Sequence, residues 1–431
     1  MKGKGISRLI EWGKTILILL LAVSAVYLLG RTQFSDDVLG EVKLILNQTS
    51  VGKTENLPEQ SAQPAIYPMR LTVNMGNGQR FGVQYDTAGV DAAYASMSTL
   101  LSEALGSAGA PARISERAWQ TKLAGTGFYV DFYYPLSITV LSGQLGEGNS
   151  NTALFGTARR LCLAADQDDR VSLCYFNEED GWFYSCETTL SRTIHLEPVL
   201  AERSPNGAMF AFEVPGMERV ASYTLLTTTP RPAVCRVENP LLADTGRVRD
   251  VLQALSFQFR GSNLDPVSGG LLVEENDSLR LLESGVMTFH TIGDSDYRFL
   301  LSENTVSSAV DYVQELAQKT VGTLCGDAEL CLAGVEDTGN GLQIVFRYCL
   351  NGLPVASSEG FEAARFVVRD GAVTDFSLYF RMYTITEETT AVLPELQAAA
   401  ILSDSNHREN ELTLLYQDLG RETVSAGWVA N

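Results

Sequence analysis

Chemistry needs particular side chains close together, and the residues able to supply it are few and scattered in this chain. The 431 residues include three histidines, His195, His290 and His407. Histidine is the commonest transition-metal ligand, so so low a count weighs against most metalloenzymes. No H-E-x-x-H, G-x-S-x-G or Walker A pattern occurs. Asp166-Gln167-Asp168-Asp169 has the opening of a calcium loop but lacks the glycine at the sixth position and the glutamate at the twelfth, and so reads as a polar hairpin turn. Carboxylate runs such as Glu178-Glu179-Asp180 and Glu274-Glu275 have no partner base and are what an acidic chain distributes over its loops.

Seven cysteines, Cys162, Cys174, Cys186, Cys235, Cys325, Cys331 and Cys349, cannot all pair within one chain. There is no C-x-x-C and no Cys/His cluster, so no structural metal is expected. Several lie at alternating positions in apparent strands, as in Leu161-Cys162-Leu163 and Tyr348-Cys349-Leu350, and read as small buried hydrophobes rather than a disulfide framework. A loop closed by Cys325 and Cys331 is left for geometry to decide. Gly293-Asp294-Ser295-Asp296 resembles the start of a GDS-type esterase signature, yet the only later histidine is His407 and the surroundings are not α/β. It reads as a solvated turn. The sequence thus offers no catalytic, cofactor or metal site, and the chain is expected not to be an enzyme.

The elements that would position any site follow from charge and periodicity. The formal net charge is −20, which excludes a nucleic-acid binder built on clustered Lys and Arg. The positive charge that exists is concentrated at the start: Lys2, Lys4, Arg8 and Lys14 stand against Glu11 alone. Behind them Thr15–Gly30 carries no charge. As a helix it spans about 24 Å, which Lys14 and Trp12 extend by snorkelling and interfacial seating. The positive-inside rule puts the basic tail in the cytoplasm and the bulk of the chain outside, at the cell membrane. A cleaved signal peptide is the rival, with Val23-Ser24-Ala25 as its cleavage site, but the apolar run continues through Val26–Leu29, which favours an uncleaved anchor.

Beyond Arg31 a short helix, Asp36–Asn47, and a polar linker, Thr49–Gln63, precede the folded part. Met69–Met75 and Arg80–Tyr85 flank Gly76-Asn77-Gly78, a hairpin signal. Apolar spacing predicts helices over Asp91–Leu105, Val248–Phe259, Val306–Leu324 and Ala391–Leu402. Alternation predicts strands over Gly127–Tyr134, a meander over Arg159–Thr188, and strands at Leu271–Glu274, Leu279–Phe289, Glu329–Val335, Gly341–Tyr348, Arg365–Arg369, Val373–Tyr383, Glu411–Gln417 and Val424–Val429. Asp370-Gly371 joins two of these as a tight turn. With no βαβ rhythm, the class is α+β: a single N-terminal transmembrane helix followed by small helix-on-antiparallel-sheet modules. The expected units are a tail 1–14, an anchor 15–30, a juxtamembrane segment 31–65, and α+β domains over 66–155, 156–300 and 301–431.

Several segments carry a resemblance. Tyr129-Val-Asp-Phe-Tyr-Tyr-Pro135 is similar to a strand ending in an aromatic-Pro corner. Val251–Arg260, Asp265-Pro266 and Leu279–Phe289 resemble a helix, a loop and a strand pair; Tyr348-Cys-Leu-Asn-Gly-Leu-Pro354 resembles a "y-x-N-G-x-P" turn, and Leu415–Val429 with Trp428 a closing strand pair. In this order, behind an N-terminal anchor, they resemble the YycH family and its shorter relative YycI. These are anchored extracytoplasmic accessory proteins of the essential cell-wall two-component system in low-GC Gram-positive bacteria. The seven cysteines and the acidic 170–180 stretch depart from that pattern, and no catalytic residue carries over.

The resemblance implies a non-enzymatic regulator that associates with a membrane-bound sensor histidine kinase and with a YycI-like membrane protein. The alternative is an extracytoplasmic binding module for a cell-wall fragment or lipid, which needs a sizeable pocket. Two surfaces follow for the partner. Ile18, Ala22, Ala25 and Leu29 share one face of the anchor helix, where small residues permit close helix contact. In the distal unit, the turn Asn351-Gly352-Leu353-Pro354 is a docking rim if Leu353 stands at its tip, and an ordinary hairpin end if Leu353 folds back into the core.

Overall fold

The computed structural model describes residues 66–430 apart from 147–149, 244, 258–263, 268–269, 275–276, 293–296, 358–359 and 403–410. The anchor with Ile18, Ala22, Ala25 and Leu29, the juxtamembrane helix, the Gly293–Asp296 turn and His407 all lie outside the described residues. Among the described residues no helix is long and apolar enough to cross a membrane.

Strand-forming sequence begins at once. β1 (Pro68–Gly76) and β2 (Gln79–Gln84) form the expected hairpin, with Asn77 and Gly78 at φ of 54° and 74°, as a two-residue turn of this hand requires. β3 (Ala112–Ile114), β4 (Gly127–Ser137), β5 (Thr157–Ala165), β6 (Arg170–Asn177) and β7 (Trp182–Ser191) complete a proximal sheet ordered β2-β1-β4-β5-β6-β7-β3. Helices α1 (Thr87–Ala95), α2 (Ser98–Ser107), α3 (Glu116–Ala124) and α4 (Ile138–Leu145) accompany it. α3, unforeseen in the sequence, is started by the Ser115 side chain accepting from Ala118 N, and it buries Trp119 and Leu123 one turn apart. The helix expected over 91–105 is two helices broken at Ser96–Met97, and the strand expected to stop at Pro135 runs on to Ser137.

A connecting region carries α5 (Glu197–Leu200), the pair β8 (Met209–Phe210) and β9 (Leu225–Leu226), β10 (Ala233–Glu238), α6 (Pro240–Ala243) and α7 (Thr245–Ala254). The distal sheet then takes β11 (Leu264–Val267), β12 (Gly270–Glu274), β13 (Asp277–Leu282), β14 (Val286–Thr291), β15 (Ala328–Asp337), β16 (Leu342–Leu350), β17 (Leu353–Ser357), β18 (Ala364–Arg369), β19 (Ala372–Tyr379), β21 (Leu412–Asp418) and β23 (Ala426–Ala430). Its order is β11-β12-β13-β14-β19-β18-β16-β17-β21-β23, with β15 beside β16. All pairings are antiparallel except β17 with β21. β20 (Met382–Thr389) and β22 (Thr423–Val424) flank β10 in a separate three-stranded ribbon, so the single strand expected over Val373–Tyr383 is two strands in two sheets.

α8 (Val306–Thr320) is capped by Thr305, which accepts from Ser308 N, and packs Ala309, Val310, Val313, Leu316 and Ala317 inward. Each large apolar side chain of that stripe contributes about 1.5–3 kcal/mol by its burial. The sheets cross both expected domain boundaries: β4 pairs with β5 across 155/156, and β14 pairs with β19 across 300/301. One hydrophobic core runs from Ile66 through both sheets to Ala426. The units 66–155, 156–300 and 301–431 are therefore not separate sheets: the next strand in the chain, β5, joins β4, and the distant β19 joins β14.

Candidate functional site

One segment ties the distal half to the proximal sheet. After β20 the chain passes Leu393 and Pro394 into α9 (Glu395–Leu402), and Glu411 stands just ahead of β21. Pro394 sets the start of α9, later than the 391 expected from periodicity, because proline fits a helix entry and not its interior. Ala398 seats the helix on Ala211, Met217, Val220, Leu226 and Leu412. Glu395 and Glu411 both reach back to the first sheet.

Glu411 enters an ionic cluster built on neighbouring strands. Arg70 of β1, Asp131 of β4, and Arg159 and Arg160 of β5 are all buried, and Glu178 follows β6. Arg70 Nε lies 3.2 Å from Asp131 Oδ2, and Arg159 Nη1 lies 3.5 Å from Asp131 Oδ1. Arg159 Nη2 and Arg160 Nη2 each donate to one oxygen of Glu411, and Arg160 Nη1 donates to Glu178. The Arg160 guanidinium also stacks on Tyr223 at 4.0 Å. Three guanidinium and three carboxylate groups balance in charge. Burial pushes the Glu411 carboxyl up, but Arg160 and then Arg159 outweigh it and hold it well below the usual range.

Glu395 sits in different company. Its Oε1 accepts from Gln84 Nε2 and from the Tyr85 hydroxyl, each at 3.0 Å, and its Oε2 accepts from Thr227 N at 3.2 Å. All three partners are uncharged, and Arg70 acts on it only through space, without an ion pair among the described residues. Burial pushes the carboxyl up to about 7, against the pull of those donors and of Arg70. The Tyr85 phenol is itself pushed well above its ordinary value, by burial and then by Glu395, and so stays a donor. Glu395 lines a cleft of about 560 Å³ with Gly82, Gln84, Asp86, Asn206, Met209, Thr227, Thr228 and Leu396.

The turn expected as a docking rim meets this same corner. Asn351 and Gly352, at φ of 49° and 78°, join β16 to β17. Leu353 is 1% exposed, and a Cβ on Gly352 would stand 3.1 Å from both Asp86 N and Tyr85 C. Leu353 thus turns into the core instead of standing at an exposed tip, and Gly352 presses on the proximal sheet of its own chain. Asn351 alone of the four residues is exposed.

The cysteines also differ from expectation. Cys331 bonds to Cys349 across β15 and β16, with Cα atoms 6.3 Å apart, and packs on Met69 and Tyr133 of the proximal sheet. Cys325 is not its partner; its thiol faces Gly322 O at 3.0 Å and Ala328 O at 2.8 Å. The five other cysteines are buried thiols. Asp166–Arg170 is a turn, in which Asp166 Oδ1 accepts from Asp168 N and Arg170 N. Among the described residues no group of three His, Cys, Asp or Glu side chains is arranged to hold a metal.

No protein-family model matches the sequence, and no curated protein matches it. The crystal structure of YycH from Bacillus subtilis superposes with a TM-score of 0.50, covering 89% of this chain and 96% of that one, at 10% sequence identity. The fold is YycH-like. The resemblance read from turns and corners therefore has a counterpart in three dimensions, over nearly the whole of both chains. Within the YycH-like frame neither Glu395 nor Glu411 is marked by its sequence, because each looks like one more solvated carboxylate of an acidic chain. Their partners lie hundreds of residues upstream, and no local spacing announces them.

Proposed function

We propose that this chain is a membrane-anchored extracytoplasmic regulatory protein that associates with a sensor histidine kinase of a cell-wall two-component system and modulates its output. The observation that carries the reading is the YycH-like fold over 89% of the chain. The basic tail followed by the uncharged Thr15–Gly30 supports an anchor with the folded part outside, and the Cys331–Cys349 disulfide suits an oxidising compartment. The kinase contact is assigned to the Ile18, Ala22, Ala25 and Leu29 face, with a YycI-like membrane protein as a further partner. The test is co-purification of the full chain with the kinase from membranes. Ala22→Ile with Ala25→Ile should weaken recovery of the kinase while leaving membrane insertion intact. Equal recovery would exclude the anchor face, and no kinase with the wild-type chain would exclude the reading itself.

The cleft beside Glu395 supports a second reading, a binding module for a cell-wall fragment or lipid, since its mixed polar and apolar lining is what such a site needs. Calorimetric titration with soluble peptidoglycan fragments and with lipid vesicles addresses it; absence of heat with both would remove it.

A further inference from the structure

The joint around Glu395 has features that packing alone does not require. Tyr85 holds a φ of 60°, a left-handed backbone that is costly for a bulky aromatic residue and that persists only where its surroundings enforce it. Those surroundings are the Glu395 carboxyl on its hydroxyl, Gly352 against its backbone, and Trp428 edge-on to its ring at 6.2 Å. Trp428 in turn donates from Nε1 to Leu393 O at 2.9 Å, immediately ahead of α9. Glu395 is 6% exposed and lines the cleft, so water stands one small displacement away.

The charges around it are few. β1 presents Arg70, which acts through space; the chain after β2 presents Tyr85, and Asp86 forms part of the cleft wall. In the 211–220 segment under α9, Glu213 is engaged by Arg80, while Glu218 and Arg219 are exposed. β9, Thr227–Thr229 and β23 carry no ionisable side chain. An ionised Glu395 is thus a buried anion held by neutral donors, whereas a protonated one is an ordinary buried polar group.

We propose that Glu395 is a proton-operated latch between the C-terminal segment and the proximal sheet. Protonated, it holds the start of α9 to Gln84, Tyr85 and Thr227. Ionised, it draws the start of α9 toward the cleft and water, which frees Tyr85 from its strained conformation and loosens the Thr227–Thr229 segment. The latch therefore opens as pH rises through neutrality, over the window between an ordinary glutamate and a carboxyl near 7.

Hydrogen–deuterium exchange on the full chain in detergent micelles tests this, with rates corrected for the intrinsic effect of pH. Between about pH 5.5 and about pH 8.5, the opening constant of peptides spanning 225–229 and 393–398 should rise roughly thirtyfold. In Glu395→Gln, which keeps the size and the acceptor for Gln84 and Tyr85, the rise should vanish. Tyr85→Phe removes one donor to the carboxylate and should move the midpoint to higher pH. A flat wild-type profile, the same rise in Glu395→Gln, or an unmoved midpoint in Tyr85→Phe would overturn the proposal.

Discussion

Two glutamates, Glu395 buried and Glu411 half-buried, grip the same sheet from the two ends of one segment, and they are stabilised in opposite ways. Glu411 meets Arg159 and Arg160 and is held ionised; Glu395 meets Gln84, Tyr85 and Thr227 and is held protonated up to about 7. Depth alone does not account for this, because both side chains are largely withdrawn from bulk water. The difference is whether the opposing strand supplies cations. β5 places two arginines in succession at Glu411, whereas the end of β2 offers an amide and a phenol to Glu395. One joint is thus a permanent tie and the other a conditional one.

The largest effect should come from breaking the permanent tie. Glu411→Ala leaves two buried guanidinium groups short of a carboxylate, which costs about 3–5 kcal/mol when one partner of a buried ion pair is lost. Urea unfolding of the full chain would read it, and a loss below about 1 kcal/mol would mean that the cluster is hydrated and weak. Next in size is the covalent tie beside the same interface. Replacing Cys331 and Cys349 with Ser opens a loop of sequence separation 18, worth about 3 kcal/mol of denatured-state entropy. A matched loss on reduction of the wild-type chain would confirm the bond.

The smallest effect belongs to the corner where the two halves touch through backbone. Gly352→Ala forces a Cβ into a positive-φ site 3.1 Å from Asp86 N, so about 1–2 kcal/mol should be lost. A part of that loss should disappear at high pH, where the proposed latch is already open. A pH-independent loss would uncouple Gly352 from Glu395.

What was legible in the sequence was local. Asn77-Gly78 and Asp370-Gly371 specify their hairpins because few residues tolerate consecutive positive φ angles. The Val306–Thr320 helix was readable from its apolar stripe. What was not legible depended on distant partners. No local pattern announces that β14 pairs with β19, whose strand lies beyond 300/301. Leu353 was a tip or a core residue on sequence alone, and only the approach of Tyr85–Asp86 decides it. Glu395 could have been suspected from one feature, a glutamate directly after Pro394 at a helix entry, but nothing local shows that Gln84 and Tyr85 close over it.

The central claim is that the two glutamates respond to protons with opposite sign, and the most direct test is unfolding free energy against pH for wild type and Glu395→Gln. Glu411, depressed in the folded state, stabilises fully above the unfolded carboxylate value and loses that contribution as pH falls below about 4.5. Glu395, raised in the folded state, stabilises fully below that value and loses up to about 3 kcal/mol as pH climbs through about 7. Wild type should therefore lose stability at both ends, and Glu395→Gln should lose less than wild type as pH climbs through about 7 while matching it at the acid end. An equal loss through pH 7 in wild type and Glu395→Gln, or none in wild type, would contradict the account.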